Sequence, residues 1–369
     1  MSNKVNKLWV IKIGSSSLTS NSEGLNLAMM SQWTSQIVEL RKHGIKVVLV
    51  SSGSVALGML RLNWHKRPHE IYKQQAAAAI GQSGLIQAYE NLFAKHNVNT
   101  AQVLLTHDDI ANRKRYLNAK SAINTLLDLN VVPIVNENDT VAIDEIKFGD
   151  NDSLAALVVD LIAAEMLVIL TDQDGLFDKN PRVYKDAKLL TKVRADDKKL
   201  DAMASSDGGE FGKGGMASKL TAARIASGAG AKTIIANAKL DDVLLKIMQG
   251  SQVGTLLEPK NVSLRSKSRW LASQIQTKGD LSLDVGAVEA LQKGKSLLAI
   301  GVVAVGSSFN RGDLVRCLNQ SGLEVARGLV NYNSKDCQKL LGVNSKHIEQ
   351  KLGFVDEPEL IHRDNLTLM

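Results

Sequence analysis

Six short runs of apolar, often β-branched residues recur along the first 250 positions: LWVIKI (8–13), IKVVLV (45–50), TAQVLLT (100–106), VVPIVN (131–136), MLVILT (166–171) and KTIIAN (232–237). They are continuous rather than alternating, the pattern of strands covered on both faces in a parallel sheet. Between them the apolar positions recur with a 3.6-residue period. This predicts helices over NLAMMSQWTSQIVELRKHG, closed by Gly44, and over NAKSAINTLLDLN and DSLAALVVDLIAAE. MASKLTAARIASG reads as a further helix, with Gly228 as its terminating glycine. The alternation predicts an α/β unit, an open and mostly parallel sheet sandwiched by helices and joined by right-handed crossovers. After Gly254 the texture changes. EPKNVSLRSKSRW is polar and basic, and the segments beyond it are short with closely spaced glycines, the texture of a small β-rich unit. The expected division is a first domain over 1–258, a linker over 259–276 and a second domain over 277–369.

A chain of 369 residues exceeds one typical core, and its 44% apolar content is enough to bury a sizeable interior. No basic start leads into a long apolar stretch, and nothing approaches eighteen consecutive apolar residues. The two cysteines, Cys317 and Cys337, lack metal-site spacing and read as reduced thiols, so a cytoplasmic protein is expected. The net charge of +7 suits either nucleic acid or an anionic substrate. The basic residues form only small knots, RLNWHKR, NRKR and RSKSR, and aromatics are 4%, too few for an obvious base-stacking surface. Solvated faces account for this charge better than an RNA patch does.

Ligands of open α/β sheets bind beyond the carboxyl ends of the strands, and the unusual residues of this chain fall there. The first strand holds Lys12 inside an apolar run, with Gly14 just beyond. The second ends in SSGSVALG, which places Ser52 and Gly53 in a small-residue turn. The fourth runs into NENDTVAIDEIKFGDNDS and the fifth into TDQDGLF. A lysine inside a buried strand is costly unless it meets an anion. Each feature also has a plain structural reading. The glycines would serve tight turns, NENDTVAIDE would be a solvated loop, and Asp150, Asn151, Asp152 or Ser153 would cap the next helix. Their gathering at one end of one sheet is what marks a site.

The stretch GGEFGKGGMASK (208–219) resembles a P-loop but is not one. The first glycine would stand where Asp207 is, and the hydroxyl residue where Gly214 is. It opens a helix, whose N–H groups and dipole favour phosphate. Lys12 and Lys219 add two positive charges there. The NEND and DND groups offer acceptors for an ammonium group and amides for a carboxylate, so a nucleoside triphosphate and a small zwitterionic substrate are implied. None of the seven histidines lies in these loops. An alcohol acceptor would need a general base, whereas a carboxylate of pKa roughly 4 is already ionised. Its difficulty is anion meeting anion, which two lysines and a magnesium ion relieve. The residues point to a carboxylate kinase that makes an acyl phosphate.

The order Lys12-Ile13-Gly14-Ser15, SSGSVALG, AAIGQSGL, NENDTVAIDEIKFGDNDSLAAL, LTDQDGLF and GKGGMASKLTAA closely resembles the amino acid kinase family, and within it the glutamate-phosphorylating members. The tail resembles the PUA domain that many of those carry. This resemblance spans nearly the whole chain. It implies transfer of the ATP γ-phosphoryl group to the γ-carboxylate of L-glutamate, the first step of proline synthesis. It also implies Mg2+, feedback inhibition by proline, and a homo-oligomer, dimer or tetramer. By the same resemblance Lys12 and Lys219 hold the phosphates and Asp152 orients them. Thr171 and Asp172 lie beside the nucleotide, and Lys213, Gly214, Gly215, Met216, Ala217, Ser218 and Lys219 wrap it. Ser52, Gly53, Asp139 and Asn151 hold glutamate, with Asn136 and Asp150 nearby. No residue is assigned to the metal, which the nucleotide phosphates carry. Lys213 departs from the small or hydroxyl residue usual in the family, so an extra phosphate contact is expected in place of a hydroxyl contact.

Two alternatives stand beside this reading. One keeps the fold and changes the acceptor to N-acetylglutamate, aspartate, carbamate or UMP. A site built for an ammonium group would discriminate against the acetylated form. The other is RNA binding by the tail, which would show steep salt dependence.

Overall fold

The computed structural model describes residues 7–20, 24–142, 151–181, 183–205, 215–259 and 277–369. Residue contacts divide the chain into two compact units, Met1–Ala111 with Ala119–Asn261, and Asn112–Asn118 with Val262–Met369.

All six apolar runs form strands. They are β1 (Leu8–Ile13), β4 (Lys46–Ser51), β5 (Thr100–Leu105), β6 (Val132–Glu137), β7 (Met166–Thr171) and β9 (Lys232–Asn237), with a hairpin of β2 (Thr19–Ser20) and β3 (Gly24–Leu25) after the first. Two short strands that the pattern did not announce, β8 (Lys192–Arg194) and β10 (Thr255–Glu258), complete an eight-stranded sheet of order β5-β6-β4-β1-β7-β9-β10-β8. The six run parallel; β10 is antiparallel to β9, and β8 follows β10. KVR and TLLE are too short to carry a periodic signal, and it is the open edge of β9 that recruits them. The run at 100–106 becomes the other edge, β5, and most of its side chains are only half-buried.

β1 is central, and Val10, Ile11 and Ile13 are fully buried between β4 and β7. Side chains of this kind stabilise by roughly 1.5–3 kcal/mol each when withdrawn from water, so the strand that carries Lys12 sits in the best-anchored part of the sheet. Helix α1 (Leu27–Lys42) packs Met30, Trp33, Ile37 and Leu40 into the same core. It ends as predicted, with Gly44 at φ +78°.

Helix α2 (Ser54–Arg61) leads into α3 (Ile71–Ala94), a 24-residue helix whose apolar period is faint because its buried face mixes Ala77, Ala78, Gly81 and Gly84 with two glutamines before the larger Leu85, Tyr89, Leu92 and Phe93. Those small residues have a purpose. A Cβ on Gly81 would lie 1.8 Å from the Ser54 carbonyl oxygen, and one on Gly58 would lie 1.7 Å from that of Ala77. The two helix backbones approach as closely as side chains would otherwise prevent. The NAKSAINTLLDLN segment falls in α4 (Arg113–Asp128), and DSLAALVVDLIAAE in α5 (Asn151–Ile162). Helix α6 spans Met216–Gly228, which corrects one expectation: Gly228 is its last residue, not the one that ends it. The Ala229 N–H still bonds to the Ile225 carbonyl at 3.3 Å, and Gly230 takes the left-handed turn at φ +86°.

The second unit is the expected small β structure. Strands β11 (Gly279–Leu283), β12 (Val302–Gly306), β13 (Leu314–Leu318), β14 (Glu324–Leu329) and β15 (Leu366–Leu368) form a sheet of order β12-β11-β13-β14-β15. Only the β11/β13 pair is parallel. Leu281, Val315, Ala326, Tyr332 and Ile361 lie in its core. Cys317 and Cys337 are free and buried there, and burial pushes both thiols up to about 12. Residues 260–276, most of the anticipated linker, lie outside the described residues. Among the described residues no helix is long and apolar enough to cross a membrane.

Candidate active site

The sheet order places the site. β4, β6 and β5 lie on one side of β1, and β7 and β9 on the other. The chain's path reverses at the carboxyl end of β1, the kind of crevice where open α/β sheets take their ligands. Lys12 stands one residue before that end.

Lys12 is 5% exposed, and its Nζ lies 2.5 Å from Asp152 Oδ1. Lys219, in the first turns of α6 and 4% exposed, reaches the other oxygen of the same carboxylate at 3.2 Å. The Ser218 hydroxyl sits 2.8 Å from that second oxygen. Asp152 is wholly buried. Burial alone would push its carboxyl up, but the two ammonium groups and the hydrogen bonds from Lys12 and Ser218 outweigh it and hold the group below its ordinary value. One carboxylate therefore faces two buried cations. Buried charge of this kind is costly unless an anion answers it. Gly215, the residue before α6, is extended and has no side chain with which to cap the helix. No side-chain cap from Gly215 competes with an anion for the N–H groups of that end. The Gly14 N–H bonds the Leu170 carbonyl at 3.2 Å, tying the end of β1 to that of β7.

Asn151, the neighbour of Asp152 at the start of α5, turns to the other side of β1. Its Nδ2 lies 2.8 Å from the Ser51 carbonyl oxygen, 2.9 Å from Ser52 Oγ and 2.8 Å from Asn136 Oδ1. The helix begins at Asn151, and the residue before it, Asp150, lies outside the described residues, while the side chains of Asn151 and Asp152 make long-range contacts. Asn136, at the end of β6, is 1% exposed and donates its Nδ2 to Gln82 Oε1 at 2.7 Å. Gly53 turns the chain from β4 into α2 at φ +97°, a conformation that strains any residue with a Cβ. Ser54, the next residue, donates its hydroxyl to Asp139 Oδ2 at 2.9 Å. A cavity of about 470 Å³ opens beside this group, lined among others by Gln82, Glu137 and Asp139.

On the far side of Lys12, Thr171 ends β7 and its hydroxyl donates to Asp172 Oδ1 at 3.1 Å. A second cavity, about 390 Å³, lies there against Asp174, Asn237 and Lys239. Asn237 Nδ2 donates to Asp174 Oδ1 at 2.7 Å.

The anticipated residues thus fall into two groups on either side of β1. Lys12, Asp152, Ser218 and Lys219 meet directly, as do Ser52, Asn136 and Asn151. Asp139 joins the second group through Ser54 on α2, and Gly215, Met216 and Ala217 shape the start of α6. Asp150, Lys213 and Gly214 lie outside the described residues. The residue pattern did not single out Gln82, Ser54 or Asn237. A glutamine within the Ala-Gly run AAIGQSGL was the available signal, because such a helix face can only be buried. His107 also sits at this end of the sheet, its Nδ1 4.0 Å from Glu137 Oε2, a proximity that only the β5/β6 pairing creates.

A parallel sheet, a charged centre at its switch point and an uncapped helix end define a site for a phosphorylated ligand. In agreement, residues 7–237 match the amino acid kinase family and residues 279–352 match the PUA domain. The chain belongs to the amino acid kinase family. Glutamate 5-kinase of Stutzerimonas stutzeri strain A1501 is 54% identical over 362 residues, 98% of this chain and 97% of that protein. Glutamate 5-kinase of Nitrosococcus oceani is 54% identical over 367 residues, 99% of this chain and 98% of that one. That of Pseudomonas putida strain F1 is 53% identical over 364 residues, 98% of each chain.

Proposed function

We propose that this chain phosphorylates the γ-carboxylate of L-glutamate with ATP, the first step of proline synthesis. The observation that carries this reading is the pair of buried lysines on one carboxylate, Lys12 and Lys219 on Asp152. Near-full-length identity to glutamate 5-kinases supports the choice of acceptor.

In this reading a γ-carboxylate oxygen of glutamate attacks the γ-phosphorus, the bond to the β–γ bridging oxygen breaks, and glutamyl 5-phosphate and ADP form. The acceptor is already ionised, so no base is required; the barrier is the approach of two anions. Lys12 and Lys219 supply positive charge at the developing phosphoryl oxygens, in a buried setting where such charge acts more strongly than in water. Asp152 keeps both ammonium groups in place. The N–H groups at the start of α6 take phosphate oxygens, and Lys213 and Gly214 directly precede them in the sequence and join in holding the phosphates. Thr171 and Asp172 adjoin the nucleotide. Asn151, Ser52, Gly53, Asn136, Asp139 and Asp150 hold glutamate.

Magnesium would accompany the nucleotide. The nucleotide phosphates would carry it, and it would supply further charge neutralisation. In this reading ATP and glutamate bind within residues 1–258 and residues 277–369 form an accessory domain; the family matches over 7–237 and 279–352 support that division. Homo-oligomerisation, inhibition by proline and a cytoplasmic location complete the proposal, the last supported by two free, buried thiols.

The test is an acyl-phosphate trap with Mg-ATP and hydroxylamine, offering L-glutamate, N-acetyl-L-glutamate and L-aspartate in parallel. Hydroxamate from L-glutamate alone is the expected result, with proline reducing its rate. Product from a different acceptor would overturn the substrate, and product from none would overturn the kinase reading.

A further inference from the structure

Helix α3 reaches the amide group through Gln82 and the neighbouring Ser51 side chain through Tyr89. Gln82 receives Asn136, and Tyr89, seven residues on and so on the same helix face, places its hydroxyl 3.1 Å from Ser51 Oγ. The orientation of the amides between these points can be read from the backbone. Asn136 Oδ1 accepts the Glu137 N–H at 2.9 Å, which only an oxygen can do. Asn136 therefore presents its NH2 to Gln82, and Gln82 must answer with Oε1. At the other end the Ser51 carbonyl is only an acceptor, so Asn151 must point its NH2 inward. The carbonyl oxygen of Asn151 is then the atom left for a ligand. Gln82 is 8% exposed, and its Nε2 is buried with no partner among the described residues. Were Gln82 there only to satisfy itself, that donor would have found an acceptor.

We infer that Gln82 is a positioning residue for the amino acid substrate: by accepting from Asn136 it holds the Asn136–Asn151 relay in the place and orientation that the backbone groups select, so that Asn151 offers an acceptor to the substrate ammonium group. The inference rests on the glutamate site proposed above. Gln82 touches no reacting atom and acts through Asn136. Gly81 allows this placement, since the helix can approach Ser54 only where no Cβ intervenes.

The experiment is steady-state kinetics of the full chain carrying Gln82→Met, close in size but without the acceptor, and Gln82→Asn, one methylene too short to reach Asn136. Both should raise KM for glutamate roughly tenfold, the scale expected when a buried donor loses its acceptor, while KM for ATP stays near wild type. In an Asn136→Ala background Gln82→Met should add nothing further, because the residue acts through Asn136. Unchanged KM for glutamate in both variants would overturn the inference. Equal rises for glutamate and ATP, or full additivity with Asn136→Ala, would reduce Gln82 to a packing residue and overturn it too. A wild-type protein inert toward glutamate would instead be a failure of the proposed function, so the two failures are distinct.

Discussion

The two halves of the site solve the same problem, holding a charged ligand in a buried place, with opposite materials. On the β7 side and over β1 the chain uses full charges, Lys12 and Lys219, and one shared carboxylate sets their geometry. On the β4/β6 side its centre is a relay of neutral amides, Asn136, Asn151 and Gln82, with Asp139 beside them through Ser54, and the orientation of the amides is dictated by backbone groups at each end of the relay. Charge gives strength with little direction, and it suits phosphate oxygens whose charge spreads in the transition state. Amides give direction with modest strength, and they suit a zwitterion in which an ammonium and a carboxylate must be told apart. Perturbing the first half should therefore affect turnover, and perturbing the second should affect recognition.

The largest effect expected is from Lys219→Ala. Loss of one preorganised charge at the transferring group should lower kcat by roughly 10²–10³-fold, with a smaller change in KM for glutamate. A variant that raised KM for glutamate and left kcat intact would break the division between the halves.

Asp152→Asn comes next and tests how the charges are held. Removing one partner of a buried ion pair costs about 3–5 kcal/mol, and here two lysines are left without their carboxylate, so the urea midpoint should fall markedly. This stabilisation depends on acid. The folded protein holds the Asp152 carboxyl below its ordinary value, so the unfolded chain takes up that proton first as the pH drops. The gap in stability between wild type and Asp152→Asn should be constant well above an unfolded pKa of about 3.9. It should close as the pH falls through the lower, folded value. A gap that widened in acid would contradict this assignment.

Gly81→Ala is a milder probe of the amide half. Its Cβ would meet the Ser54 carbonyl, so α2 and α3 must separate, at about 1–3 kcal/mol for an overpacked contact. KM for glutamate should rise more than KM for ATP, because Ser54 and Gln82 both move. Equal effects on the two substrates would blur the comparison. The smallest effect is expected from Lys213→Thr, which should leave turnover mostly intact. A collapse comparable to that of Lys219→Ala would add a third essential charge to the phosphate side.

Much of this architecture is legible in the sequence. Six strands could be read because a strand covered on both faces must be continuously apolar, and Lys12 stood out because it interrupts such a run. The small β-rich tail showed itself through glycine spacing. Helix α3 did not show itself as clearly, because close backbone contact selects alanine and glycine, which carry little periodicity. Strands β8 and β10 were invisible, being three and four residues long and recruited by an open edge. The end of α6 was placed two residues early, since Gly228 and Gly230 are both plausible stops and only backbone hydrogen bonding distinguishes them.

The site divides in the same way. The sequence by itself determined which residues could do chemistry, since lysines, amides and carboxylates at strand ends are conspicuous against apolar runs. Local composition also determined that α6 begins without a side-chain cap. Only the tertiary structure decided which of them meet. Asn151 and Asp152 are adjacent in the chain, yet one joins the amides and the other the lysines, because consecutive side chains at a helix start point in different directions and β1 lies between the two destinations. Gln82 reaches Asn136 across 54 residues, through a helix contact that two glycines permit. Contacts of that kind depend on sheet order and helix approach, and neither quantity is local to any stretch of the sequence.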